Sequence, residues 1–265
     1  MNNIALGRYI PLNSFVHSID PRIKILSVFL LMFAIFFPVG WIGYAILASF
    51  ILLCIHLSNL NITYILKTMK PMMFMLIFLL VINCFALRSG NKLFSLGGFV
   101  VYDQAIFQTL YIVVRLALMI SITTILTAST KPLDLTLGIE DILTPFKRFG
   151  VPAHIIAMMI SIALRFIPTL LEETQRIMKA QASRGVDFNQ GSFIEKVRGM
   201  SSLIVPLFIS ALQKAEDLAY AMEARGYNPD APRTRYKQLH LKVHDILCFI
   251  VCVILTVMMM GIALL

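Results

Sequence analysis

Between Ile25 and Leu57 the chain places 33 residues without one Asp, Glu, Lys or Arg, interrupted only by Pro38-Val39-Gly40. A helix on the surface of a soluble protein keeps one face polar, and this stretch has no charge with which to build one. At ~20 residues per bilayer crossing it is too long for a single span, so it reads as a hairpin of two short spans turning at Pro38-Val39-Gly40. Composition agrees: 58% of the 265 residues are hydrophobic and 14% charged, against ~45–50% and ~25% in soluble domains. A simple soluble domain is excluded.

Further apolar runs follow. Lys67 and Lys70 precede a third, Pro71 to Leu87, and the polar stretch Arg88 to Gln104 separates it from a fourth, Ala105 to Ala128. The last, Ile246 to Leu265, lies at the C-terminus. The first run begins only at Ile25 with no small-residue cleavage pattern behind it, and it reads as a retained anchor rather than a signal peptide. Cys54, Cys84, Cys248 and Cys252 all lie inside apolar runs without a C-x-x-C pair, so neither a disulfide framework nor a zinc site is indicated.

The net charge of +9 would suggest nucleic acid in a soluble protein. In a membrane chain, basic residues first mark the cytoplasmic side. With Arg8, Arg22 and Lys24 cytoplasmic, the hairpin returns the chain to that side at Lys67 and Lys70. Spans three and four bring residues 129–242 back to it, and Arg233, Arg235, Lys237 and Lys242 precede the last span in agreement. From Arg165 to Lys242, 12 basic residues are interleaved with eight acidic ones, a density that belongs in water. Val151 to Ile167 is apolar for about the length of a short span, but a crossing there would export the basic cluster, so it reads as a tilted or interfacial helix. The predicted fold is an all-α integral membrane protein: four spans within 1–128, a cytoplasmic domain of long amphipathic helices over 129–242, and a fifth span within 243–265.

Within 129–242 the helix punctuation is dense. Thr169 with Glu172 and Ser192 with Glu195 have the S/T-x-x-E spacing of a capping box and predict helix starts. The first helix should end at Gly185; the second should run to Leu203, with Pro206 kinking or restarting the chain. A third should cover Leu207 to Arg225, with Ala211, Ala215, Leu218, Ala219 and Met222 on one face. Two of these helices stop the same way, in Ser183-Arg184-Gly185 and Ala224-Arg225-Gly226. One reading is two ordinary glycine stops, each with a cation at the negative end of the helix. The other is two projecting guanidinium plugs for acidic sites on a two-fold or pseudo-two-fold partner. No G-x-x-x-x-G-K-[ST] loop is present to cradle ATP.

These residues resemble the transmembrane T component of energy-coupling factor (ECF) transporters, the modular ABC importers of vitamins and trace metals. The resemblance covers most of the chain. It rests on Asp20-Pro21-Arg22-Ile23-Lys24, on Ala163-Leu164-Arg165-Phe166-Ile167-Pro168 followed by Glu172-Glu173, and on the paired arginine motifs, where Ser183 stands in the family's usual alanine place. It implies a scaffold and energy transducer in the bacterial cell membrane whose cytoplasmic coupling domain docks Arg184 and Arg225 into grooves on two ABC ATPase subunits. It also implies a substrate-binding membrane S component as partner, ATP and Mg in the ATPases, no cofactor on this chain and no nucleic acid. Asp20, Arg22, Arg115, Arg165 and Pro168 are candidates for structural or transduction roles. A dedicated T component for cobalt, nickel or biotin is the alternative within transport. An integral membrane enzyme would need a convergent nucleophile, acid–base pair or metal cluster in the spans, and the sequence offers none.

Other polar residues have two readings each. Arg115, inside the fourth span, is either functional or pins helices through a backbone carbonyl or Asn83. Arg165 can snorkel to the interface. His240 and His244 have the i, i+4 spacing of metal ligands, but without an acidic or cysteine partner they read as an interfacial pair. The clusters Met72-Met73-Met75, Met158-Met159 and Met258-Met259-Met260 are either apolar packing or an adaptable surface for several S components.

Overall fold

The computed structural model describes residues 9–86, 92–96, 99–145, 152–186, 192–228 and 239–264. Arg8, Arg233, Arg235 and Lys237 lie outside the described residues. In chain order the elements are α1 (Phe15–Ser18), α2 (Pro21–Phe36), α3 (Gly40–Leu57), α4 (Ile62–Met69), a 3-10 turn (Lys70–Met72), α5 (Met73–Ala86), β1 (Lys92–Leu96), β2 (Phe99–Tyr102), α6 (Asp103–Ser129), α7 (Pro132–Leu143), α8 (Ala153–Ser183), α9 (Phe193–Ala224) and α10 (Val243–Leu264). They form two compact units, Met1–Ile142 with Leu239–Leu265, and Leu143–Gln238.

In the first unit the long apolar run is a helical hairpin, α2 and α3, turning at residues 37–39. On α3, Tyr44, Leu47, Ile51 and Ile55 recur at helical spacing and are buried against Leu31, Ala34 and Ile35 of α2, Leu118 and Ile122 of α6, and Cys252 and Met259 of α10. The opposite faces are apolar too: Ile42, Leu52 and Leu53 on α3 and Ile77 and Phe78 on α5 are exposed, and Phe74 is 81% so. A chain apolar both inside and outside has lipid as its solvent. Together these elements make an all-α integral membrane protein, with one small addition. The polar stretch after the third run holds an antiparallel pair, β1 and β2, with Leu96 opposite Phe99.

Among the described residues five helices are long and apolar enough to cross a membrane: Gly40–Leu57, Ile62–Ala86, Asp103–Ser129, His154–Ser183 and Val243–Leu264. Four of these coincide with apolar runs read as spans, and the fifth is counted by its length and composition alone. Helix α2, at 16 residues, is shorter than a full crossing, while the segment expected to lie at the interface is the first half of the 31-residue α8, which has the length and hydropathy of a span. Thr169 and Glu172 do not start a helix, because α8 runs through them and through Pro168. Residues spaced i, i+3 share a face of any helix, and only a non-helical backbone at the first makes it a cap. Pro206 likewise sits inside the continuous helix α9: an internal proline removes one backbone bond, and the remainder of the ladder continues on both sides. Ser192 does stand at the start of α9, its carbonyl accepting from Lys196 N at 3.0 Å.

Charge in the first unit is gathered at helix ends. Asp20 caps α2 by accepting from Arg22 N at 2.9 Å, and Pro21 occupies the first turn, where a missing N–H costs nothing. Asp245, 1% exposed, accepts from Asp20 N at 3.1 Å and from Lys242 N at 2.8 Å, so one carboxylate satisfies the entries to α2 and α10 together. Arg22 adds α7, pairing with Asp141 at 3.2 Å while its Nη2 donates to the Leu239 carbonyl at 2.6 Å. Buried Lys24 closes the end of α6, donating to Ser129 O at 3.1 Å, Thr130 Oγ1 at 3.2 Å and His17 O at 3.4 Å.

Asp245→Ala is expected to destabilise the purified chain by about 2–4 kcal/mol, since it leaves one buried and one part-buried N–H group without an acceptor. Asp245→Asn, which retains one acceptor oxygen, should cost less. Thermal unfolding in detergent checks the order; equal midpoints for wild type and Asp245→Ala would contradict it.

Candidate functional site

The two arginine motifs fold into the same structure. At the end of α8, Val186 N donates to Gln181 O at 3.0 Å and Gly185 N to Ala182 O at 3.0 Å; at the end of α9, Tyr227 N donates to Met222 O at 3.0 Å and Gly226 N to Glu223 O at 2.8 Å. Both are Schellman caps, in which a residue with positive φ turns the chain back on its own last carbonyls. Gly185 has φ +84° and Gly226 φ +66°, a region where a Cβ is strained even though the space around both is open. Each cap occupies the backbone of its arginine and leaves the side chain exposed. Among the described residues neither Arg184 nor Arg225 has an acidic partner. The two readings of these stops are therefore compatible: both are ordinary caps, and both expose a guanidinium that pairs with no acid among the described residues.

Within the second unit α8 and α9 run antiparallel. Tyr227 Oη donates to Met158 Sδ at 3.2 Å, Lys214 Nζ bonds Glu173 Oε2 at 3.3 Å, and Gln181 Nε2 donates to Ser202 O at 3.3 Å, so numbers fall along α9 as they rise along α8. Arg225, beside Tyr227, is thus level with the start of α8, while Arg184 lies 26 residues beyond Met158 (184 − 158 = 26). At 1.5 Å per residue the two guanidinium groups stand roughly 40 Å apart, at opposite ends of one helix pair. Lys214 also holds Ser210 Oγ at 2.6 Å, which ties the salt bridge to the middle of α9.

The remaining candidates scatter. Asp20 and Arg22 form the helix-end junction of the first unit, with Asp245 and Asp141 as partners that sequence reading missed; the only signal was a lone carboxylate three residues after Lys242. Lys24 was likewise read as a topology marker although it is buried. Arg115 Nε donates to Tyr44 Oη at 2.8 Å, and Tyr44 Oη to Ile35 O at 3.2 Å, so the expected backbone contact is made through a tyrosine. Asn83 is not its partner and instead donates to Thr109 Oγ1 at 3.0 Å. Arg165 is exposed on α8, and Pro168 is half-buried within it. His244 Nε2 lies 3.4 Å from Asp245 Oδ1 and its ring meets Phe15, an environment that pairs it with a carboxylate rather than with His240. Met73, Met75, Met159, Met258 and Met260 are exposed, whereas Met259 is fully buried. Among the described residues no group of three His, Cys, Asp or Glu is gathered as metal ligands would be.

Comparison with known proteins bears on the paired caps. Residues 12–236 match the family model CbiQ, described as cobalt transport protein. The energy-coupling factor transporter transmembrane protein EcfT of Brevibacillus brevis is 44% identical over 257 residues, 97% of each chain. That of Macrococcus caseolyticus is 42% identical over 260 residues, 98% of each, and that of Bacillus subtilis 41% over 239, 90% of each. With its apolar helices and its twin arginine-bearing ends, the chain belongs to the CbiQ/EcfT family, the transmembrane components of energy-coupling factor transporters.

Proposed function

We propose that this chain is the scaffold and energy-transducing subunit of an ECF-type importer for vitamins or other micronutrients. It links a pair of cytoplasmic ABC ATPase subunits to a membrane S component that binds the substrate. The observation that carries this reading is the pair of identical caps holding Arg184 and Arg225 at opposite ends of the antiparallel α8–α9 pair. Two copies of one local shape, about 40 Å apart, suit two copies of one groove. Each guanidinium inserts into an acidic site on one ATPase, where its fork bonds a carboxylate bidentately. ATP and Mg belong to those subunits, and the chain itself is not an enzyme.

Transduction is mechanical. When nucleotide closes the ATPase pair, the two docked helix ends move relative to one another. Because α8 is continuous from Arg184 through Pro168 to the end level with Arg225, displacement at one cap is carried along the helix pair to the other without crossing a loop. The Lys214–Glu173 bridge makes α9 share the movement. The coupling domain lies on the cytoplasmic side, a placement that the basic residues before the last span support. The exposed methionines offer an adaptable surface to the S component.

Arg184→Ala and Arg225→Ala are each expected to weaken ATPase binding by about 2–5 kcal/mol, the cost of leaving a buried carboxylate unpaired. The double variant should lose copurifying ATPases and substrate uptake altogether; retention of both would refute the reading. Gly185→Ala and Gly226→Ala keep the charge but strain the cap by about 1 kcal/mol. They should reduce ATPase copurification severalfold while the chain stays monodisperse on gel filtration, and unchanged copurification would show that cap geometry does not aim the arginines.

A further inference from the structure

Residues 143–238 form one compact unit, and the chain crosses into and out of it at two points, after Ile142 and before Leu239. A displacement that the chain carries out of that unit must pass one of them. The crossings are 97 residues apart in sequence (239 − 142 = 97), yet a single side chain of the other unit holds both. Arg22 Nε stands 3.2 Å from Oδ2 of Asp141, the residue before Ile142, while Nη2 donates to the carbonyl of Leu239 at 2.6 Å.

These contacts fall on the crossings themselves. Leu239 precedes the first residue of α10 by four positions (243 − 239 = 4), and α10 is held separately by Asp245, which accepts from Lys242 N and from Asp20 N. Arg22 is fixed from behind, its own N–H donating to Asp20 Oδ1 at 2.9 Å with Nε 3.5 Å from the same oxygen. On the α7 side there is no slack. A Cβ added at Gly138 would stand 3.1 Å from Ile25 Cδ1, 3.3 Å from Pro21 Cβ and 3.4 Å from Arg22 N, so α7 lies directly on the first turns of α2. A guanidinium sets Nε and Nη2 as donors of one rigid plane. Neither crossing can shift without turning the plane that holds the other.

We propose that Arg22 is a positioning residue that clasps the two crossings, so that movement of residues 143–238 reaches α7 and α10 as one displacement. The proposal rests on the transducer reading for what drives the movement, and on the chain alone for the clasp. The test is hydrogen–deuterium exchange, read by mass spectrometry, on the full chain in detergent. Asp141→Asn alters a contact at the first crossing only. It is expected to speed exchange roughly threefold or more at residues 239–245 as well as at 138–143, while Tyr44–Ile55 of α3 keeps the wild-type rate. Arg22→Lys keeps the charge without the fork and should speed both segments by about tenfold; this variant decides the question if Asp141→Asn does not fold. A local ion pair predicts the opposite pattern: acceleration confined to 138–143 in Asp141→Asn, or to one segment in Arg22→Lys, would overturn the proposal. In the complex with copurified ATPases, ATP with vanadate should change exchange at the two segments together in wild type and at no more than one in Arg22→Lys. A joint change that persists in Arg22→Lys would also overturn it. Wild type that binds no ATPase would defeat the transducer reading instead, and the clasp would be decided by exchange in the chain alone.

Discussion

A helix ends with four N–H groups at one terminus and four carbonyls at the other that its own ladder cannot satisfy. In a chain whose helix flanks face lipid, those ends are where charge can be held at low cost, and nearly every ionic contact described above is found at one. Asp20 and Asp245 answer the N–H groups that open α2 and α10. Lys24 answers the last carbonyls of α6. Two glycine caps answer those of α8 and α9. The first set turns inward and locks a bundle together; the second turns outward and is left open.

Much of this division was legible in the sequence. The charge-free run broken at Pro38 could fold only as a hairpin, and its turn lies within a residue of the break. The glycines after Arg184 and Arg225 marked the helix ends to within two residues, because positive φ at a C-terminus is a demand that few other residues meet. Local signals misled where they were ambiguous by construction. Thr169 and Glu172 have capping-box spacing in the middle of α8, and the prolines at 168 and 206 stand inside helices that run on past them. Helix continuity there is a property of α8 and α9 as whole helices, which no window of four residues contains.

The inward contacts were harder to see for a different reason. Asp245 joins Asp20 across 225 residues of sequence, and Lys24 reaches Ser129 across 105. Each residue taken singly looks like a flanking charge at the edge of an apolar run. Their partners are backbone groups, which every sequence supplies everywhere, so no pattern of side chains announces the pairing. The caps that face outward were readable because their chemistry repeats. The junction that faces inward was not, because its chemistry occurs once.

The antiparallel setting of the two caps has an implication for assembly. Exchanging α8 with α9 carries Arg184 onto Arg225 and each Schellman turn onto the other, so a bound pair of partners could in principle be seated in either of two orders. For identical partners the two seatings are the same complex. For different ones, orientation must be decided by what the exchange fails to superimpose: Ser183 against Ala224 just before the arginines, and the aliphatic Val186 against the aromatic Tyr227 just after the glycines.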